Sequence, residues 1–299
     1  MSKLSLKTRI LNELRKILMR PMFENHLIRL MEKSSRNPLI VGILPSNYLY
    51  PPHSIRKTCD RNIEFELDLH NWNDWEVYFR AHPKVINKLF QLCKPRNVII
   101  DVGCNIGYVL MNMAKIAGPE GKVFGFEPSP ETFAKLQRNL EINHFNNITV
   151  THAALGNVPG KAVSYPVRDS NLGMNKIRLV SNEDLPDVVP VFTLDSFCEA
   201  EKLTRVDVIK IDVEGYELNV LKGSLTTLRK FRPYLFIEIS CQNLSYQNSS
   251  PEKLLELLRA EGYIIQRAID GRIIMPSHVL EKDCHFDILA VPSQSGNDQ

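Results

Sequence analysis

The chain has 299 residues, 43% hydrophobic, 8% aromatic and 24% charged, which excludes a wholly disordered chain and suits one large α/β domain or two small ones. No apolar run approaches the roughly 18 residues of a membrane span, and Lys, Arg and Glu break the start where a secretory leader would be apolar. The net charge of +3 is uneven: residues 1–40 hold nine Lys/Arg against three Glu, leaving −3 for the other 259 residues, and a mildly acidic body argues against a nucleic-acid face there.

Leu4, Leu6, Ile10, Leu11, Leu14, Ile17 and Leu18 recur at helical spacing, with Lys7, Arg9, Arg15 and Lys16 between them. This predicts a basic amphipathic helix, interrupted at Pro21 and resumed to about Met31. Residues 1–33 then pack on their own domain or on a second copy in a homo-oligomer, dock on an anionic membrane face, or form a disordered arm. Pro45, Pro51 and Pro52 mark a loop. Ile63 to Leu69 alternates strictly, the period of a half-buried strand. Residues 1–80 therefore read as a helical and β-rich lead-in, closed by a packing cluster of Trp72, Trp75, Tyr78 and Phe79.

From about residue 82 strands alternate with helices. Strands are expected at 97–102, 122–127, 148–153, 206–212 and 234–239, and helices at 107–117, 130–143, 215–230 and 251–261. Short apolar runs separated by helices predict a doubly wound, mostly parallel sheet covered on both faces. Residues 160–192 break the rhythm as an inserted hairpin or loop. Segments 263–267, 272–275 and 286–291 read as further strands, with an antiparallel one near the C-terminus. The α/β domain thus spans 81–292, and 293–299 is a polar tail. The cysteines at 59, 93, 104, 198, 241 and 284 lack C-x-x-C spacing and read as six reduced thiols of a cytoplasmic protein. Cys284-His285 has no second Cys/His cluster to complete a zinc site, so no metal is expected.

The first strand of the α/β domain runs into Asp101-Val102-Gly103-Cys104-Asn105-Ile106-Gly107 and then a helix, the opening of a nucleotide-binding unit. Glu127 ends the second strand, 20 residues past Gly107, where an acid can accept hydrogen bonds from both hydroxyls of a ribose. The spacing is G-x-x-x-G, not the dinucleotide G-x-G-x-x-G, and Asn105 stands where a pyrophosphate needs glycine. S-adenosylmethionine, which has no pyrophosphate, fits better than NAD. Val206 to Ile211 reads as a buried strand that delivers Asp212 to the sheet's carboxyl edge, where ligands of open α/β sheets bind. Asp212 and Glu214 there could act as a general base, hold a cation or cap the next helix. Glu238 ends the following strand at the same edge. Glu217 reads as a helix-surface residue, and His144 and His152 are second-choice bases.

Three strings together, Asp101 to Gly107, Phe126-Glu127-Pro128-Ser129 and Lys210-Ile211-Asp212-Val213-Glu214-Gly215-Tyr216-Glu217, resemble the FkbM family of S-adenosylmethionine-dependent methyltransferases. Asn139, Ala153-Ala154-Leu155-Gly156 and Thr193-Leu194-Asp195 agree. The resemblance covers about residues 97–240. It implies a class I methyltransferase fold, Rossmann-like, with seven strands of which one is antiparallel, and O-methylation. It further implies that Asp101, Gly103, Asn105 and Gly107 line the cofactor's methionine end, that Glu127 holds the ribose, and that Ala153 or Ala154 lies beside adenine.

The expected activity is methyl transfer to a hydroxyl-bearing acceptor, a glycan or small metabolite, with Asp212, Glu214 and Glu238 as candidate catalytic groups and residues 171–175 in the acceptor wall. A non-catalytic S-adenosylmethionine-binding or membrane-docking module is the alternative; an NAD-dependent oxidoreductase is disfavoured. Location is expected to be cytoplasmic, with the basic N-terminal segment offering contact with the inner membrane face.

Overall fold

The computed structural model describes residues 5–34, 37–165, 176–181, 185–276 and 284–293. Residues 171–175 and 294–299 lie outside them. Two compact units meet in the chain between Pro83 and Lys84.

The first unit contains helices α1 (Leu6–Ile17), α2 (Pro21–Ser34) and α3 (Pro38–Val41), a hairpin of β1 (Ile55–Asp60) and β2 (Ile63–Asp68), and helix α4 (Trp72–Tyr78). Ser5 caps α1 by accepting from the Thr8 N–H, which satisfies one orphan donor. Glu24 is fully buried in this unit and accepts from Tyr50 Oη at 2.9 Å, Tyr78 Oη at 3.1 Å and Arg56 Nε at 2.9 Å. These hydrogen bonds offset the cost of burying a polar group at that depth. β2 buries every second residue, as its alternation predicts. The aromatic stretch from Trp72 is helical, not β: the Asn71 side chain accepts from Asn73 N–H, and Asp74 in the first turn accepts from the Asp68 N–H. On α1, Ile10, Leu14 and Ile17 are each more than half exposed.

The second unit begins with α5 (Ile86–Leu92), β3 (Val98–Val102), α6 (Tyr108–Ala117), β4 (Lys122–Phe126), α7 (Pro130–Asn143) and β5 (Ile148–Thr151). A separate four-stranded sheet follows: β6 (Ala154–Leu155), β7 (Gly160–Tyr165), β8 (Lys176–Leu179) and β9 (Val188–Phe192). Then come α8 (Leu194–Ala200), β10 (Val208–Ile211), α9 (Glu217–Lys222), α10 (Leu225–Phe231), β11 (Tyr234–Ser240), α11 (Cys241–Tyr246), α12 (Pro251–Ala260), β12 (Tyr263–Arg267) and β13 (His285–Pro292). The central sheet has the order β12-β13-β11-β10-β3-β4-β5. β13 runs antiparallel to both of its neighbours, while β11, β10, β3, β4 and β5 are parallel. This is the doubly wound, class I methyltransferase arrangement that the resemblance implied. β3 and β10 are buried at every residue, as a sheet covered on both faces requires.

Three departures stand out. The expected helix at 215–230 is two helices. Gly223 breaks it, because its backbone lies against the Gly156 carbonyl where a side chain would collide. The second piece restarts on Asp195, whose carboxylate accepts from Thr226 and Thr227 N–H. Segment 272–275 is not a strand; it retains a single bridge, Gln266 to Ile273. The six-thiol reading is also corrected: Cys241 and Cys284 form a disulfide, and Cys59, Cys93, Cys104 and Cys198 are free. The pair is 43 residues apart in sequence, but the β11–β13 ladder pairs Ser240 with His285 and so brings the adjoining cysteines together.

Candidate active site

The turn after β3 is built for close backbone packing. Gly103, Asn105 and Gly107 all have positive φ, at 81°, 49° and 89°. A side chain on Gly103 would strike the Asp212 carbonyl oxygen, so this glycine fits the turn against the exit of β10. Asn139 on α7, fully buried, donates from Nδ2 to the Ile106 carbonyl at 3.1 Å and ties the turn to that helix.

Glu127, just past β4, is 7% exposed. It accepts from the Asn105 N–H at 3.0 Å and the Ser129 N–H at 2.9 Å. Burial raises its pKa to about 7 despite those two donors. A carboxylate has about four acceptor sites, and these two donors occupy two of them. The acid at the strand end thus braces the turn, a task that was not legible in sequence. Ala153 and Ala154 are buried where β5 passes into β6. His152 stacks on Phe133 with ring centroids 4.7 Å apart. His144 is the exposed left-handed cap of α7.

Lys210, which sequence reasoning passed over, lies at the centre. It is 4% exposed and donates from Nζ to the Gly103 carbonyl at 2.7 Å. Its ammonium is 3.2 Å from Asp101 and 3.3 Å from Asp212. Burial disfavours that charge, but the two carboxylates override it and hold Lys210 above the ordinary lysine range. Asp101 is fully buried, and desolvation raises it to about 6 against the opposing pull of Lys210.

Beyond Lys210 stands an acidic edge. Oxygens of Asp212, Glu214 and Glu238 all lie within 4.8 Å of one another. Burial, then Glu238 and Asp212, push Glu214 to about 9. Burial and Asp212 raise Glu238, against a hydrogen bond from His285. Asp287 faces Glu238 across the ladder and is raised to about 7, mainly by burial. Each of the three converging acids already has a protein partner. Asp212 meets Lys210, Glu238 meets His285 Nε2 at 3.1 Å, and Glu214 accepts from Asn243 Nδ2 at 2.5 Å. These acids are engaged by protein groups, and among the described residues nothing beyond their proximity marks a cation site.

Two expectations are revised here. Glu217 is not a surface residue: it is 2% exposed and accepts from the Val213 and Gly215 N–H groups at 3.1 and 3.0 Å. The turn folds back over the first turn of α9, so an acid there captures loop donors. Nor does Asp212 cap a helix at Gly215, since α9 starts at Glu217 without a side-chain cap. Gly215, at φ 103°, packs against the Asn243 backbone, where a side chain would collide.

Residues 101–265 match the Methyltransferase FkbM domain. The chain is 27% identical over 212 residues to 2-O-methyltransferase NoeI of Sinorhizobium fredii, covering 66% of this chain and 84% of that protein. It is 31% identical over 166 residues to Hexuronic acid methyltransferase AglP of Haloferax volcanii, covering 55% of this chain and 65% of that one. A solved structure of Methyltransferase FkbM from Methylobacillus flagellatus aligns at 18% identity with a TM-score of 0.40, over 72% of this chain and 52% of its own. The chain is an S-adenosylmethionine-dependent methyltransferase. It belongs to the methyltransferase FkbM domain family.

Proposed function

We propose that the protein methylates a hydroxyl on a glycan or small metabolite. The observation that carries this is the convergence of Asp212, Glu214 and Glu238 at the carboxyl ends of β10 and β11, one strand from the turn of Gly103. Two relatives named for methylating a 2-O position and a hexuronic acid support a sugar-type acceptor. Glu127 would hold the ribose, Asp101, Gly103, Asn105 and Gly107 the methionine end, and Ala153 and Ala154 the adenine side. The cofactor supplies an electrophilic methyl group on a sulfonium. The chain's own task is to place the acceptor oxygen about 3 Å from that carbon, exclude water and receive a proton. Radiolabelled transfer onto a panel of glycans, uronic acids and phenols tests this. Label on a hydroxyl, transferred only with S-adenosylmethionine as donor, is expected. No label on any hydroxyl acceptor overturns it.

We also propose that α1 lies on an anionic membrane face. Ile10, Leu14 and Ile17 fall at i, i+4 and i+7 and are 57%, 58% and 56% exposed, and Arg9, Lys16 and Arg20 are exposed beside them. An apolar stripe flanked by cations is the form of an interfacial helix. Co-sedimentation with phosphatidylserine vesicles at low salt, abolished in Leu14→Glu, is expected; a full-length protein that stays in the supernatant overturns it.

A further inference from the structure

We infer that His285, oriented by Glu238, is the group that takes the acceptor's proton. This rests on the hydroxyl methylation proposed above. His285 opens β13 and pairs with Ser240 in the ladder, two residues along from the Glu238–Asp287 pair. That diagonal brings its Nε2 within 3.1 Å of Glu238 Oε1. The imidazole is 66% exposed and the carboxylate behind it 20%. A sheltered acid holding one ring nitrogen, with the ring itself open to solvent, is the arrangement that orients a histidine base. The start of β13 is fixed twice beside it, by the Cys241–Cys284 disulfide and by the Cys241 N–H to Cys284 carbonyl bond at 2.9 Å.

The other groups at this edge are less free. Asp212 faces the Lys210 ammonium, and Glu214 is held by Asn243 and carries a proton at neutral pH. The sheet order β13-β11-β10-β3 puts His285 on the side of β10 away from the glycine turn, where an acceptor facing that turn must lie. His285 also stands outside the residues 101–265 that match the family.

In the transfer, an oxygen lone pair forms the O–CH₃ bond as the S–CH₃ bond breaks and its electron pair stays on sulfur. The hydroxyl proton passes to His285 Nδ1, while the Nε2 proton remains on the bond to Glu238. The imidazolium later gives its proton to water. Charged groups facing His285 are Glu238 on β11, Asp287 on its own strand and Asp212 at the exit of β10, with Glu214 and Lys210 behind them. The Glu238 bond, the largest influence, lifts the imidazole above its ordinary value.

The test has two arms on the full-length protein. In the first, NMR titration of the His285 ring without cofactor should give a pKa above the ordinary histidine value that falls in Glu238→Gln. In the second, using whichever acceptor the panel yields, His285→Gly should lose about 100-fold or more in kcat with cofactor affinity kept. The acidic limb of its pH profile should vanish, and added imidazole should restore part of the rate. An imidazole pKa unmoved by Glu238→Gln, or a His285→Gly enzyme with full turnover, overturns the inference. Failure of the wild-type protein to methylate any hydroxyl would instead count against the proposed function, and the NMR arm is independent of it.

Discussion

Lys210 and Asp101 are direct partners across the β10–β3 ladder, and the ammonium of one lies 3.2 Å from the carboxylate of the other, with both almost wholly buried. Such a pair adds little over an apolar pair, but removing one member strands the other. Here it joins the strand that carries the glycine turn to the strand that carries Asp212.

Lys210→Met should therefore destabilise the protein by about 3–5 kcal/mol. The double variant Lys210→Met/Asp101→Asn should regain much of that, because no uncompensated charge is left. Urea unfolding of the two variants and wild type measures it; equal stability of the single and double variants would contradict the pairing.

Glu127→Ala should weaken S-adenosylmethionine binding by roughly 10- to 150-fold, the equivalent of about 1.5–3 kcal/mol for charge-assisted hydrogen bonds. It also frees the Asn105 and Ser129 N–H groups, so part of the loss comes from a loosened turn. Calorimetry on the alanine and glutamine variants separates the two: glutamine keeps one acceptor for the turn and should lose affinity with less loss of thermal stability.

The cofactor-free protein should lose stability as pH rises from about 5 to about 9. Asp101 is raised to about 6, Glu127, Glu217 and Asp287 to about 7, and Glu214 to about 9, each chiefly by burial. A carboxyl raised in the folded state binds its proton more tightly there than in the unfolded chain. Its stabilising contribution is complete below the unfolded value near 4 and is lost through the folded value. Unfolding midpoints in urea at pH 5.5, 7 and 8.5 should fall in that order. A rise across this range would mean that the acids are ionised and well solvated in the native state.

Thiol titration of the denatured, unreduced protein should count four reactive groups, from Cys59, Cys93, Cys104 and Cys198, and six after reduction. Cys284→Ser should cost about 2–4 kcal/mol and disturb the region of His285 more than the turn of Gly103. Six thiols before reduction would remove the cross-link.

Local patterns carried the fold well. Alternation marked β2, apolar runs marked β3, β4 and β10, and Gly103 and Gly107 marked the turn after β3, because each follows from a few adjacent residues. What stayed hidden depended on neighbours distant in sequence. Lys210 reads as one charge in a strand until β3 is laid beside it, and Glu217 reads as a solvated acid until the preceding turn folds over it. The Cys241–Cys284 bond and the His285–Glu238 pair both need the β11–β13 register, which no local spacing encodes. The break at Gly223 needed the position of Gly156.

The central sheet also has a seam between β3 and β10. Residues 98–151 build the strands on one side of it and residues 208–292 those on the other, with the smaller sheet of β6 to β9 between them in sequence. Lys210 straddles the seam, bonded to Gly103 on one side and facing Asp212 on the other. A chimera that exchanges the second half with a relative should respect that residue above any other, since a graft misaligned there would leave both parents' halves intact and uncoupled.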